Sequence, residues 1–106
     1  MTKECTVRVF AGTCGMTSRI TAKADDIGEV TLRIESDCHH ILKMSWGLRP
    51  MFAYGEVEAP MCETEIYRLA TENLPHAACP VPCGMMKALE VAGDMGIPRD
   101  SEIVFE

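Results

Sequence analysis

The chain has 106 residues and a mass of 11.7 kDa, one domain's worth, with 47% hydrophobic, 25% charged and 6% aromatic residues. That composition is globular and excludes a disordered or fibrous chain. Ten Lys and Arg against sixteen Asp and Glu leave a net charge of −6, which argues against an electrostatic grip on nucleic acid or an anionic lipid surface.

Taken in order, Thr6-Val7-Arg8-Val9 alternates polar and apolar side chains and meets a turn at Ala11-Gly12-Thr13-Cys14-Gly15. Ser18, Ile20, Ala22 and Ala24 then alternate with Arg19, Thr21 and Lys23. After Asp25-Asp26-Ile27-Gly28, Val30, Leu32 and Ile34 alternate with Thr31, Arg33 and Glu35. This period of two predicts antiparallel strands with one buried and one wet face. Asp37 is placed to cap a helix in which Ile41, Met44 and Leu48 share a face before Pro50. Residues 50–62 read as an irregular connection, and Thr64 to Asn73 as a short helix with Ile66, Leu69 and Ala70 inward. Pro80 and Pro82 suit the first turn of a last helix, where their missing N–H groups would have no partner anyway. That helix is predicted to reach about Met95 and stop at Gly96, and Ser101 to Phe105 adds a short strand. The predicted fold is one α+β domain over residues 1–106, a small antiparallel sheet with helices packed on one face.

Sulfur is the outlier: six Cys and eight Met against one Trp, two Tyr and three Phe. No apolar run approaches the roughly 20 residues of a membrane span. Met1-Thr2-Lys3-Glu4-Cys5 lacks the basic and apolar stretches of a signal peptide. The expectation is a cytoplasmic protein with reduced thiols, where cysteines serve metal binding or redox chemistry more often than a disulfide frame. Four of them fall at element ends. Cys14 sits in the Gly-flanked turn, Cys38 in the first helical turn after the third strand, and Cys79 and Cys83 around Pro80-Val81-Pro82. A thiol at a helix start feels the positive end of the dipole, which favours the thiolate. Asp37, His39, His40 and His76 stand beside these thiols as possible supporting groups. Cys5 and Cys62 read as packing residues and the methionines as core filler. Cys79-x3-Cys83 has neither the zinc-knuckle nor the thioredoxin spacing. The charge is also uneven. Seven basic and six acidic groups in residues 1–53 give +1, and three and ten in residues 54–106 give −7. Solvated helix faces or an acidic docking surface would both account for that.

The order Thr13-Cys14-Gly15, two strands, Asp37-Cys38 opening a helix, then a cysteine ahead of a helix rich in small and apolar residues resembles the IscU/NifU family of iron–sulfur scaffold proteins. The likeness spans about residues 6–95 and rests on element order and cysteine placement. It implies three cysteines converging at one end of the sheet to hold a nascent cluster or a zinc ion, completed by a nearby Asp or His. Cys14 and Cys38 match the family's first two cysteines; the third is Cys79 or Cys83. The family's Asp two residues after the first cysteine is Met16 here, and its His before the third is Ala78 or Pro82. The stretch His76-Ala77-Ala78-Cys79-Pro80-Val81-Pro82 is also similar to small proteins of anaerobes and methanogens, which implies a divergent branch.

The leading expectation is a binding or carrier protein rather than an enzyme. Cys14, Cys38, Cys79 and Cys83 would hold an iron–sulfur cluster or zinc, and the partners would be sulfur donors or cluster-accepting proteins. One alternative is thiol-based sulfur transfer or disulfide exchange at Cys79 and Cys83. The other is an interaction module stapled by zinc.

Overall fold

The computed structural model describes residues 3–106. The three alternating stretches form β1 (Lys3–Phe10), β2 (Thr17–Ala24) and β3 (Glu29–Ser36). With a two-residue β4 (Met51–Phe52) they make an antiparallel sheet in the order β1-β2-β3-β4. Ile20 lies opposite Val7 on one side and Ile34 on the other, so the alternation stacks into two faces across the sheet. Ile20, Ala22, Val30 and Leu32 are buried on one face. Thr6, Arg8, Arg19, Lys23 and Arg33 are exposed on the other.

Helices cover the apolar face: α1 (His39–Ser45), α2 (Ala53–Glu58), α3 (Glu65–Asn73) and α4 (Val81–Ala92). The α+β class is therefore the predicted one. Ile41 and Met44 of α1, Ile66 and Leu69 of α3, and Val81, Met85, Ala88 and Leu89 of α4 join the strand residues in one core. The direction of α4 follows from three contacts. At its start Gly84 lies against Val9 and Ile20, so closely that a Cβ would run into Val9 Cγ2. Midway, Cys5 Sγ donates to Ala88 O at 3.2 Å, and beyond its end Asp94 pairs with Lys3 Nζ at 2.6 Å. The helix thus runs antiparallel to β1.

Several local expectations change. Cys38, not Asp37, occupies the N-cap of α1, and its side chain makes no capping bond. Residues 50–62 are not irregular: they contain β4, α2 and a 3-10 turn at Met61–Glu63. Glu56 of α2 accepts from Glu65 N at 3.1 Å and Ile66 N at 2.9 Å, so this segment satisfies orphan donors at the start of α3. Thr64 caps the same helix by accepting from Tyr67 N at 3.2 Å. α4 ends at Ala92 rather than Met95, and Gly96 is not its stop. The left-handed residue is Asp94 (φ 63°), with Asp94 N and Met95 N donating to Val91 O and Glu90 O in a Schellman closure. Gly93 serves packing instead: a Cβ there would run into Ala53 of α2. No strand forms at Ser101–Phe105. Met44, Met51 and Met85 fill the core as expected, whereas Met61 is exposed and Met1 lies outside the described residues. Among the described residues no helix is long and apolar enough to cross a membrane.

Candidate functional site: the thiols at one end of the sheet

Cys14 is at the tip of the β1–β2 connection. Gly12 (φ 83°) and Gly15 (φ 71°) flank it in left-handed geometry, which β-carbons disfavour. Gly15 N donates to Gly12 O at 2.8 Å and Ala11 N to Met16 O at 3.0 Å, closing a tight turn that leaves Cys14 exposed. Cys38 stands directly after β3. Asp37 N donates to Thr17 O at 3.4 Å, which ties this junction to the start of β2 beside the Cys14 turn. Cys79 closes the turn that leads into α4, its N–H donating to His76 O at 3.2 Å. Because α4 starts at the Val9 end of β1, the Cys79 turn reaches the same end of the sheet. Cys38 and Cys79 are half-buried against the margin of the core.

Two strand hydroxyls hold the backbone of Cys38. Ser18 Oγ donates to Ser36 Oγ at 2.8 Å, and Ser36 Oγ accepts from Cys38 N at 3.0 Å. Their signal was present in the sequence: two serines at inward positions of otherwise apolar strand faces. A buried hydroxyl needs a partner, and these two satisfy one another while fixing the backbone of the thiol.

Cys83 goes elsewhere. With Met86, Lys87 and Glu90 it forms an i, i+3, i+4, i+7 stripe on α4 that lines an open groove of ≈ 330 Å³ beside Val57, Met61 and Tyr67. Burial, and then the neighbouring Cys83 thiol, push the Tyr67 hydroxyl above its usual range. Cys62 is exposed in the 3-10 turn, which corrects its expected role as a packing residue. Asp37, His39 and His76 are all exposed, and the rings of His39 and His40 lie 4.1 Å apart. All six cysteines are free thiols. Among the described residues no three His, Cys, Asp or Glu side chains are grouped so as to hold a metal ion. The topology gathers Cys14, Cys38 and Cys79 to one end without setting them in a closed cage.

Cys5 is the structural thiol of the set. Burial is the first cause that raises its ionisation above the ordinary thiol range. The folded chain therefore holds this proton more tightly than the unfolded chain. The associated stability is complete below the unfolded thiol's value of about 8.5 and is lost as pH rises through the folded value. Urea titrations at increasing alkaline pH are expected to show a fall in stability that becomes shallower in Cys5→Ala. A thiol reagent at neutral pH should modify Cys14, Cys62 and Cys83 before Cys5.

The chain belongs to a family of unknown function (DUF6951), whose model matches residues 5–105. No curated protein matches it in sequence.

Proposed function

We propose that this member of the family is a carrier that takes up iron, zinc or an iron–sulfur cluster as cargo on the thiolates of Cys14, Cys38 and Cys79. The observation that carries the reading is the delivery of three thiols from three separate elements to one end of the sheet. Thiolates are the soft donors that zinc and iron–sulfur clusters favour. Asp37 and His39 flank Cys38 in sequence and His76 opens the Cys79 turn, so an oxygen or nitrogen donor is at hand to complete a set.

Three features suit a carrier. Cys14 is presented on an exposed turn, so a cargo ion reaches it from solvent. Among the described residues these thiols form no closed group, so loading would have to draw them together. The fully buried core of Ile20, Ile41, Met44, Ile66, Met85 and Leu89 contains none of those thiols, so the fold should survive the loss of cargo. Cys83, on the groove side of α4, is left out of the proposed ligand set. The resemblance to iron–sulfur scaffold proteins supports the same assignment of Cys14 and Cys38, and the placement of Cys79 favours it over Cys83 as the third.

Anaerobic incubation with ferrous iron and sulfide, or with zinc, followed by absorption spectroscopy and metal analysis, tests the reading. Wild-type protein is expected to load. Cys14→Ser, Cys38→Ser and Cys79→Ser should each weaken binding at least about tenfold, the lower end of the loss seen for outer-shell partners. Cys62→Ser and Cys83→Ser should load normally. Wild-type protein that stays colourless and metal-free overturns the proposal. A persulfide or a Cys79–Cys83 disulfide in the intact mass, without metal, would move the assignment to sulfur transfer or disulfide exchange.

A further inference from the structure

We propose that residues 101–105 of one chain add as a strand to the free edge of β1 in a second copy, so that the protein dimerises by exchanging its C-terminal segments. Two unmatched halves of a strand pair are present in each molecule. The first is the edge. β1 is an eight-residue end strand, and among the described residues no strand pairs with it on the side away from β2. Every second residue there presents N–H and C=O groups to no strand, the arrangement that recruits another chain.

The second half is the tail. Ile103, Val104 and Phe105 are 88%, 64% and 98% exposed, a run of largely exposed apolar side chains. Its composition is that of a strand, rich in β-branched and aromatic residues, and only the lack of a partner leaves it without one.

The two halves match in an apolar row on the helix side and in charge on the open side, Val104 excepted. As a strand, the tail would place Ser101, Ile103 and Phe105 on one side and Asp100, Glu102, Val104 and Glu106 on the other. On β1, Cys5, Val7 and Val9 face the helices but remain half-buried, because no further strand covers that margin of the core. Ile103 and Phe105 would extend this apolar row and bury it. On the open face Arg8 lies directly opposite Arg19; Arg19 has Glu35 across from it on β3, whereas Arg8, on the end strand, has no acid on a neighbouring strand and, among the described residues, no carboxylate within ion-pair distance. Like charges paired across strands repel, and an acid on the next strand relieves them. Glu102 and its neighbours Asp100 and Glu106 bring that charge. Reversed pairing would set acids against the apolar margin and is disfavoured.

The occupant is taken to be a second copy, because residues 101–105 form no strand with the β1 edge of their own chain. A two-fold dimer would satisfy both edges at once with one repeated contact.

Sedimentation equilibrium of the full chain over a concentration series, with hydrogen exchange of β1 amides, tests this. Wild-type protein is expected to approach twice the 11.7 kDa chain mass, with β1 protection rising with concentration. The double variant Ile103→Asp, Phe105→Asp should raise the dissociation constant at least about tenfold. Because Ile103 and Phe105 are almost wholly exposed, that variant should keep the wild-type circular dichroism. Arg8→Glu should weaken association, and Glu102→Arg added to it should restore part of the loss. Wild-type protein that stays monomeric throughout overturns the proposal, as does a dimer indifferent to the tail substitutions. A monomer with protected β1 amides would mean the tail closes on its own sheet, and it overturns the exchange too.

Discussion

In equilibrium urea unfolding, Ile20→Ala is expected to cost about 2–5 kcal/mol, a large share of the roughly 5–15 kcal/mol that holds a domain folded. Ile20 is wholly buried at the middle of β2, between Val7 and Ile34, with α4 directly above. Its neighbours on that side are poor at filling a void. Ala22 is the next inward residue of the strand, and Gly84, whose missing Cβ would sit 3.4 Å from Ile20 Cδ1, has no side chain to move. The cavity should therefore stay open, which places the loss in the upper part of the range. Ile20→Val, which removes only one methyl, should lose about 0.5–1.5 kcal/mol. A loss below about 1 kcal/mol for Ile20→Ala would show that α4 does not close over β2 as described.

Gly84→Ala is expected to destabilise the protein by about 1–3 kcal/mol, the scale of an overpacked core. The sign is informative, because two effects oppose one another. In an exposed helix interior, Ala is better than Gly by about 1 kcal/mol, through chain entropy. Here the added methyl runs into Val9 Cγ2 on a strand whose backbone is held by β2, so the clash exceeds the propensity gain. Val9→Ala should cost stability by itself and yet relieve Gly84→Ala, giving a coupling energy in a double-mutant cycle. A second consequence concerns the thiols. Gly84 seats the start of α4, and Cys79 lies just ahead of that start. On the proposed carrier reading, lifting the helix shifts the Cys79 turn relative to the sheet, so cargo binding should weaken in Gly84→Ala even where the variant is fully folded. An additive cycle, or a stabilised Gly84→Ala, would mean that α4 is not seated on β1.

The parts of the fold legible in the sequence were those whose periodicity is local. Val30, Leu32 and Ile34 alternate with Thr31, Arg33 and Glu35 because a strand with one covered face has no other solution, and β3 runs where that pattern runs. Ile66, Leu69 and Ala70 marked α3 by their helical spacing, and Thr64, expected as its first residue, caps it instead. Where a residue's role depends on something distant in sequence, local patterns misled. Gly96 looks like a helix stop, yet Gly93 and Asp94 close α4, since the contact with Ala53 of α2 admits no Cβ at position 93. Pro50, Gly55 and Pro60 looked like loop punctuation. The short α2 between them is held by that same contact and by the Glu56 bonds to α3. Residues 101–105 carry the pattern of a strand, but pairing takes two, and among the described residues no strand of the same chain pairs with them.

The six cysteines show the same division. Residue order and spacing alone determined that Cys14, Cys38, Cys79 and Cys83 stand at element ends, and that Cys5 belongs to a strand. Only the tertiary structure decided which of the four share an end. Sequence periodicity sets the face of a residue within its own element. The direction and rotation of α4 over the sheet come from the fit of Gly84 against Val9 and of Ala88 against Cys5. That fit carries the Cys79 turn toward Cys14 and Cys38 and turns Cys83 into the groove beside Tyr67.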